Sequence, residues 1–173
     1  QNLKFILEVA KILKLKKNLL VKTLKKFKGL KYRQEKIFQS KKLTIINDSK
    51  ATTFSSSASL LKSLTNVHWI VGGQAKKGDK LLLSKKDCKN IKAYIFGTNK
   101  NFFISKLKKL MSYEYFLDLK SLVQKLSLEI KVDKNRIHKT ILFSPSAASF
   151  DNFKNFEERG KYFNDLIKKY INA

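Results

Sequence analysis

One cysteine, one proline and three arginines are all that this chain of 173 residues contains of those types. The lone Cys88 excludes an internal disulfide and fits a reducing compartment; with no base identifiable beside it, it reads as inert. The lone Pro145, amid abundant Lys, Asn and Ile, reads as the drift of an AT-rich genome. Asp and Glu number 13 and are scattered, so no hydrolytic carboxylate pair stands out. His68 and His138 lack partners at metal-ligand spacing and read as structural; no metal site is expected. The serines carry no nucleophile motif. No apolar run approaches a membrane span and no signal peptide is visible. Taken alone, the chain has no catalytic machine.

The charge is the opposite extreme. Lys and Arg total 38, for a formal net charge of +25, a balance that raises nucleic acid or an anionic surface as a partner. Only Arg33, Arg136 and Arg159 supply the bidentate fork that base readers favour, and the lysines run along the whole chain instead of forming one stripe. No nucleic-acid partner is therefore expected. A non-catalytic basic module stays open as an alternative, and it would predict tight, salt-dependent retention on DNA or RNA.

Hydrophobic content of 43% is ordinary for a globular protein, and the length allows one good core plus an appendage. Apolar spacing predicts helices over Asn2–Lys14 and Asn18–Phe27, their lysines on a solvated face, with Gly29 as a C-terminal stop. Packing against a body accounts for their apolar faces. Strands are predicted at Glu35–Gln39 and Leu43–Ile46, joined as a hairpin, then at Val67–Val71, Ile91–Phe96, Tyr113–Leu117 and Thr140–Phe143. Helices are expected over Phe54–Leu64, Asn101–Leu110, Leu119–Ile130 and Phe156–Ile171. This alternation predicts an α/β fold, a Rossmann-like, mostly parallel sheet flanked by helices. The chain begins at Gln1, not Met, directly in helical sequence, which points to a piece of a longer protein.

The stretch that organises the rest is Leu43–Ser57, LTIINDSKATTFSSS. A buried strand stops at Asn47-Asp48-Ser49-Lys50, and a helix starts just beyond the hydroxyls of Ala51-Thr52-Thr53. Open α/β sheets place ligands at such strand ends, and first-turn N–H groups favour an anion there. An ordinary helix cap explains the same residues equally well. Gly72-Gly73-Gln74-Ala75-Lys76 follows another strand: paired glycines allow close backbone approach and the lysine supplies a point charge, though a plain turn serves too. Its spacing is not that of a Walker loop. After Pro145, the small residues Ser146-Ala147-Ala148-Ser149 permit close approach, and Phe150, Phe153 and Phe156 read as packing. The sum is a ring of strand-end groups suited to a small anion.

Asn47–Thr52 resembles the NDSKAT signature in the C-terminal half of the Mur ligase family. Gly29-Leu30-Lys31-Tyr32-Arg33, Gly72–Lys76 and the run Ser144–Gly160, SPSAASFDNFKNFEERG, are similar in the same order. The last is highly specific and favours the branch that takes D-glutamate. The resemblance covers essentially the whole chain but only the back part of the family's length. It implies a division into 1–29, the last helices of a central ATP-binding domain, and 30–173, an amino-acid-binding domain. It implies that Thr52, Lys76, Ser149 and the Phe156 backbone N–H contact D-glutamate, while Asn2, Arg33, Asp48 and Lys50 face nucleotide. Tyr32 stands where a histidine is usual and Gln34 where an apolar residue is common, so neither is given a role. Gln74-Ala75 replaces Asp-Gly, and Phe150 replaces a frequent leucine.

As the resemblance has it, the whole enzyme uses ATP and Mg²⁺ to convert the carboxylate of UDP-N-acetylmuramoyl-L-alanine into an acyl phosphate, which the D-glutamate amine attacks. It would act in the cytoplasm, in peptidoglycan precursor synthesis, with no membrane span. The Walker loop, Mg²⁺ ligands and uridine-binding domain belong upstream in the family, so these residues alone are expected to be inactive, with no catalytic residue of their own. A sister ligase acting on another amino acid or on folate is the nearer alternative.

Overall fold

The computed structural model describes residues 2–135 and 137–171, excepting the Asn2 side chain. Helices α1 (Asn2–Ile12) and α2 (Lys17–Lys26) precede β1 (Glu35–Gln39), β2 (Leu43–Asn47), α3 (Phe54–Ser63) and β3 (Val67–Gly72). Then come β4 (Ile91–Phe96), α4 (Lys100–Leu107), β5 (Ser112–Phe116), α5 (Leu119–Val132), β6 (Lys139–Phe143) and α6 (Phe156–Tyr170). The strands form one sheet in the order β1-β2-β6-β3-β4-β5, parallel except for the β1–β2 hairpin. This is the expected α/β fold with a mostly parallel sheet.

The pleat sorts side chains between two cores. Val67, Trp69 and Val71 of β3 join Ile91, Ala93 and Ile95 of β4 under α3 and α4. Ile70, Tyr94 and Phe96 point the other way, with Ile141 and Phe143 of β6, under α5 and α6. Because both faces are covered, the central strands carry almost unbroken apolar runs. Phe54, the first residue of α3, lies edge-on to Trp69 and Phe103 at 6.3 and 5.9 Å between ring centroids, seating the helix on the sheet.

Strand order positions the site. The chain leaves β2 through α3 and reaches β3, skipping a place that β6 fills only after α5. From β3 it moves outward to β4, whereas from β6 it turns into α6. Connections that leave neighbouring strands in opposite directions open a crevice at the C-terminal strand ends. The segments after β2, β6 and β3 therefore lie side by side at one edge.

Two readings of the N-terminal helices change. Most apolar side chains of α1 and α2 are exposed among the described residues: Ala10 is buried, Leu20 and Leu24 are half-buried, and Leu3, Ile6 and Val21, with Leu13 just past α1, face solvent. α1 ends at Ile12, where Lys14 takes a left-handed φ of 53°. α2 ends at Lys26 with Phe27 as its cap, so the left-handed Gly29 falls two residues past the cap, one later than expected. No described helix is long and apolar enough to cross a membrane.

At the sheet's opposite edge both histidines are engaged. His138 Nε2 lies 3.0 Å from Thr44 Oγ1, and His68 Nδ1 lies 2.9 Å from the Tyr94 hydroxyl. That hydroxyl donates to Glu129 at 2.7 Å, so its oxygen accepts the His68 proton. Burial, then the Lys139 charge, keeps the His68 ring below the usual imidazole value, consistent with a neutral donor. Burial, followed by the bond to Glu129, pushes the Tyr94 phenol well up. A raised folded value means stability that is present below the unfolded tyrosine value of about 10 and lost above it. In an alkaline titration followed by tyrosinate absorbance, at least one of the six tyrosines is expected to stay neutral until the chain unfolds, then ionise in that step.

Candidate functional site

The segment after β2 is fixed on both sides. Asn47 Nδ2 donates to the Gly160 carbonyl at 2.8 Å and to Asn164 Oδ1 at 2.7 Å, tying the strand end to α6. Asp48 is buried, and its own chain satisfies both carboxylate oxygens: Gln34 N–H donates to Oδ1 at 3.1 Å and Ser144 Oγ to Oδ2 at 2.9 Å. Burial pushes the Asp48 carboxyl up; those two bonds and the nearby Arg33 charge oppose the rise. Asp48 thus clamps the linker that carries exposed Arg33 to the start of the segment after β6. Tyr32 packs on Gly160, where an added Cβ would meet its ring at 2.4 Å.

The helix end expected to hold an anion is closed by the chain itself. Thr53 and Ser56 form a reciprocal capping box at the start of α3. Asp79 Oδ2 accepts the Phe54 N–H at 2.7 Å. These bonds consume first-turn donors that the sequence left free, so the cap explanation holds at α3. They also fold the segment after β3 back over the helix start. Asp79 N–H donates to the Lys76 carbonyl, which ties the stretch carrying exposed Lys76 to the start of α3, just after exposed Thr52.

The segments after β3 and β6 pair directly. Gln74 and Ala148 exchange backbone hydrogen bonds of 2.9 and 3.1 Å, and Gly72 N–H donates to the Pro145 carbonyl. Only glycine allows this approach: a Cβ on Gly73, whose φ is 121°, would stand 2.6 Å from the Ala148 oxygen. Ser149 follows Ala148, buried at the junction. Phe150 is 70% exposed, so the packing expected of the three phenylalanines fails there. Phe153 and Phe156 are half-buried.

Arg159 locks the segments after β2 and β6 together. Its guanidinium is fully buried, donating to Ser49 Oγ at 3.1 Å, to the Ser49 carbonyl at 2.8 Å and to the Ala148 carbonyl at 3.2 Å. Burial drags it down to about 10, partly opposed by the charge of Asp151, so it stays protonated at neutral pH. Ser49 Oγ passes its own proton to the Phe156 carbonyl at 2.8 Å. Lys50 Nζ sits 3.9 Å above the Phe156 ring. The Phe156 N–H, at the first position of α6, has no acceptor among the described residues.

Thr52, Lys76, Ser149 and Phe156 thus sit on segments bonded to one another at a single sheet edge, and Arg33, Asp48 and Lys50 adjoin them. The Asn2 side chain lies outside the described residues. Sequence reasoning gave no role to Arg159, Asp79 or Ser57. A signal existed for Arg159, since an arginine kept in so lysine-rich a chain marks a place where the planar fork matters. Asp79 had none. Among the described residues no three His, Cys, Asp or Glu side chains gather to hold a metal ion.

No family model matches the chain. Over 161 residues it is 36% identical to the UDP-N-acetylmuramoylalanine–D-glutamate ligase of the Wolbachia of Brugia malayi, covering 93% of this chain and 32% of that protein. The same-named ligases of Wolbachia pipientis wMel and Rickettsia felis are each 34% identical over 94% of the chain, spanning 32% and 36% of theirs. The chain belongs with the Mur ligases, over their C-terminal portion. It spans about a third of the length of these relatives. The likeness extends across the Mur ligase segments after β2, β3 and β6, which the hydrogen bonds above draw to one edge.

Proposed function

We propose that the chain is the amino-acid-binding portion of a ligase that joins D-glutamate to UDP-N-acetylmuramoyl-L-alanine in the cytoplasm, during peptidoglycan precursor synthesis. The observation that supports it is the mutual bonding of three strand-end segments. A dicarboxylic amino acid needs opposed donors on a rigid frame. Exposed Lys76 offers an ammonium, Thr52 and Ser149 offer hydroxyls, and Phe156 offers an uncommitted backbone N–H. Residues 30–173 form this unit in the proposal, and α1 and α2 belong to the domain before it.

ATP would supply the phosphoryl group that activates the acceptor carboxylate. Arg33 and Lys50 are the cations this chain offers the nucleotide, and Asp48 acts by holding the Arg33 linker in place. No Mg²⁺ ligand is assigned among the described residues, so these 173 residues alone are expected neither to hydrolyse ATP nor to ligate.

The full-length protein tests this reading. Supplied with ATP, Mg²⁺ and UDP-N-acetylmuramoyl-L-alanine, it should release phosphate when D-glutamate is added and not with L-glutamate, L-alanine, L-lysine or a diamino acid. Turnover with another amino acid, or with a folate acceptor, would instead assign it to a sister amide ligase.

A further inference from the structure

Ser57 lies in the second turn of α3, fully buried, with its hydroxyl 2.6 Å from those of both Ser144 and Ser146. A serine has one proton to give. Ser144 spends its proton on Asp48 Oδ2. Ser57 must then donate to Ser144, and Ser146 to Ser57. The competing contact, from Ser146 Oγ to the Ser144 carbonyl, is longer at 3.3 Å. Proton counting therefore gives this string one direction, ending on the Asp48 carboxylate.

The other end of the string holds a special backbone. Ser146 has a φ of 56°, a left-handed conformation that side chains rarely adopt without support. Two residues on, Ala148 pairs with Gln74, and Ser149 follows. The Trp69 indole N–H fixes the Ser144 carbonyl at 2.8 Å, so one side of the turn is anchored to β3. Ser57 is the group that reaches across to the other side.

We propose that Ser57 is a positioning residue for the candidate site: by bridging Ser144 and Ser146 it holds the left-handed turn that sets Ser149 beside the segment carrying Lys76. Its effect on substrate rests on the D-glutamate reading; its effect on the turn does not.

The test uses the full-length protein with Ser57→Ala, Ser146→Gly and the double variant, each with its urea midpoint measured beside the parent's, so that exchange across 146–152 is read relative to exchange in α5. Glycine enters the left-handed region freely, so it should hold the turn without the hydroxyl bridge. Ser57→Ala is expected to speed amide hydrogen exchange across 146–152 about tenfold in the absence of ligand. It should also raise the KM for D-glutamate about fivefold to tenfold while leaving that for ATP within about twofold. The double variant should recover at least half of both effects. Unchanged exchange in Ser57→Ala overturns the proposal whatever the protein's activity. Faster exchange with an unchanged D-glutamate KM also overturns it, provided that Lys76→Ala raises that KM. If Lys76→Ala is silent as well, the D-glutamate reading falls, and exchange with glycine rescue decides the role of Ser57 alone.

Discussion

Arg159→Met should lower the melting temperature of this chain by about 6–12 °C. Methionine fills much of the volume, but the Ser49 carbonyl loses the buried charge-assisted donor that now satisfies it, and the Ala148 carbonyl loses one of two. Charge-assisted bonds are each worth about 1.5–3 kcal/mol, and release of the guanidinium's desolvation cost offsets part of that. A net loss of about 3 kcal/mol, at about 2–4 °C per kcal/mol for a domain of this size, gives the expected shift. Arg159→Lys should fare little better, because a point charge cannot reach acceptors on two segments at once. A lysine variant that melts like the parent would show that charge alone, and not the fork, is what the site needs.

The second large effect is on substrate. Lys76→Ala in the full-length protein is expected to raise the KM for D-glutamate about 30- to 100-fold, matching the loss of one charge-assisted bond to a carboxylate, about 2–3 kcal/mol. The KM for ATP should stay within about twofold, because Lys76 lies on the segment after β3 while Arg33 and Lys50 lie on the linker and after β2. Steady-state kinetics with each substrate varied in turn separate the two. Unchanged glutamate kinetics would remove Lys76 from the site.

Much of this was legible in the chain itself. All six strands fall within about a residue of where apolar alternation and β-branched runs place them, because strands buried on both faces leave an unmistakable pattern. Strand order was not legible in detail: that β6 slots between β2 and β3 depends on packing across the sheet, not on local sequence. At the candidate site, NDSKAT and the two glycines do fall at strand ends, after β2 and β3. What closed them was distant. Asp79 caps α3 from 25 residues away, and Arg159 reaches Ser49 from 110. Phe150 misled because an aromatic residue after a run of small ones reads as core, yet it stands 70% exposed, two residues past the backbone pairing of Ala148. The apolar stripes of α1 and α2 predicted helices correctly but not a partner within the described chain.

The most direct measurement is a crystal structure of the full-length protein with D-glutamate bound. The account predicts the amino acid at the edge where the segments after β2, β3 and β6 meet, its carboxylates held by Thr52, Lys76, Ser149 and the Phe156 N–H. D-Glutamate seated at another edge of the sheet, or bound with Lys76 and Ser149 untouched, would contradict it.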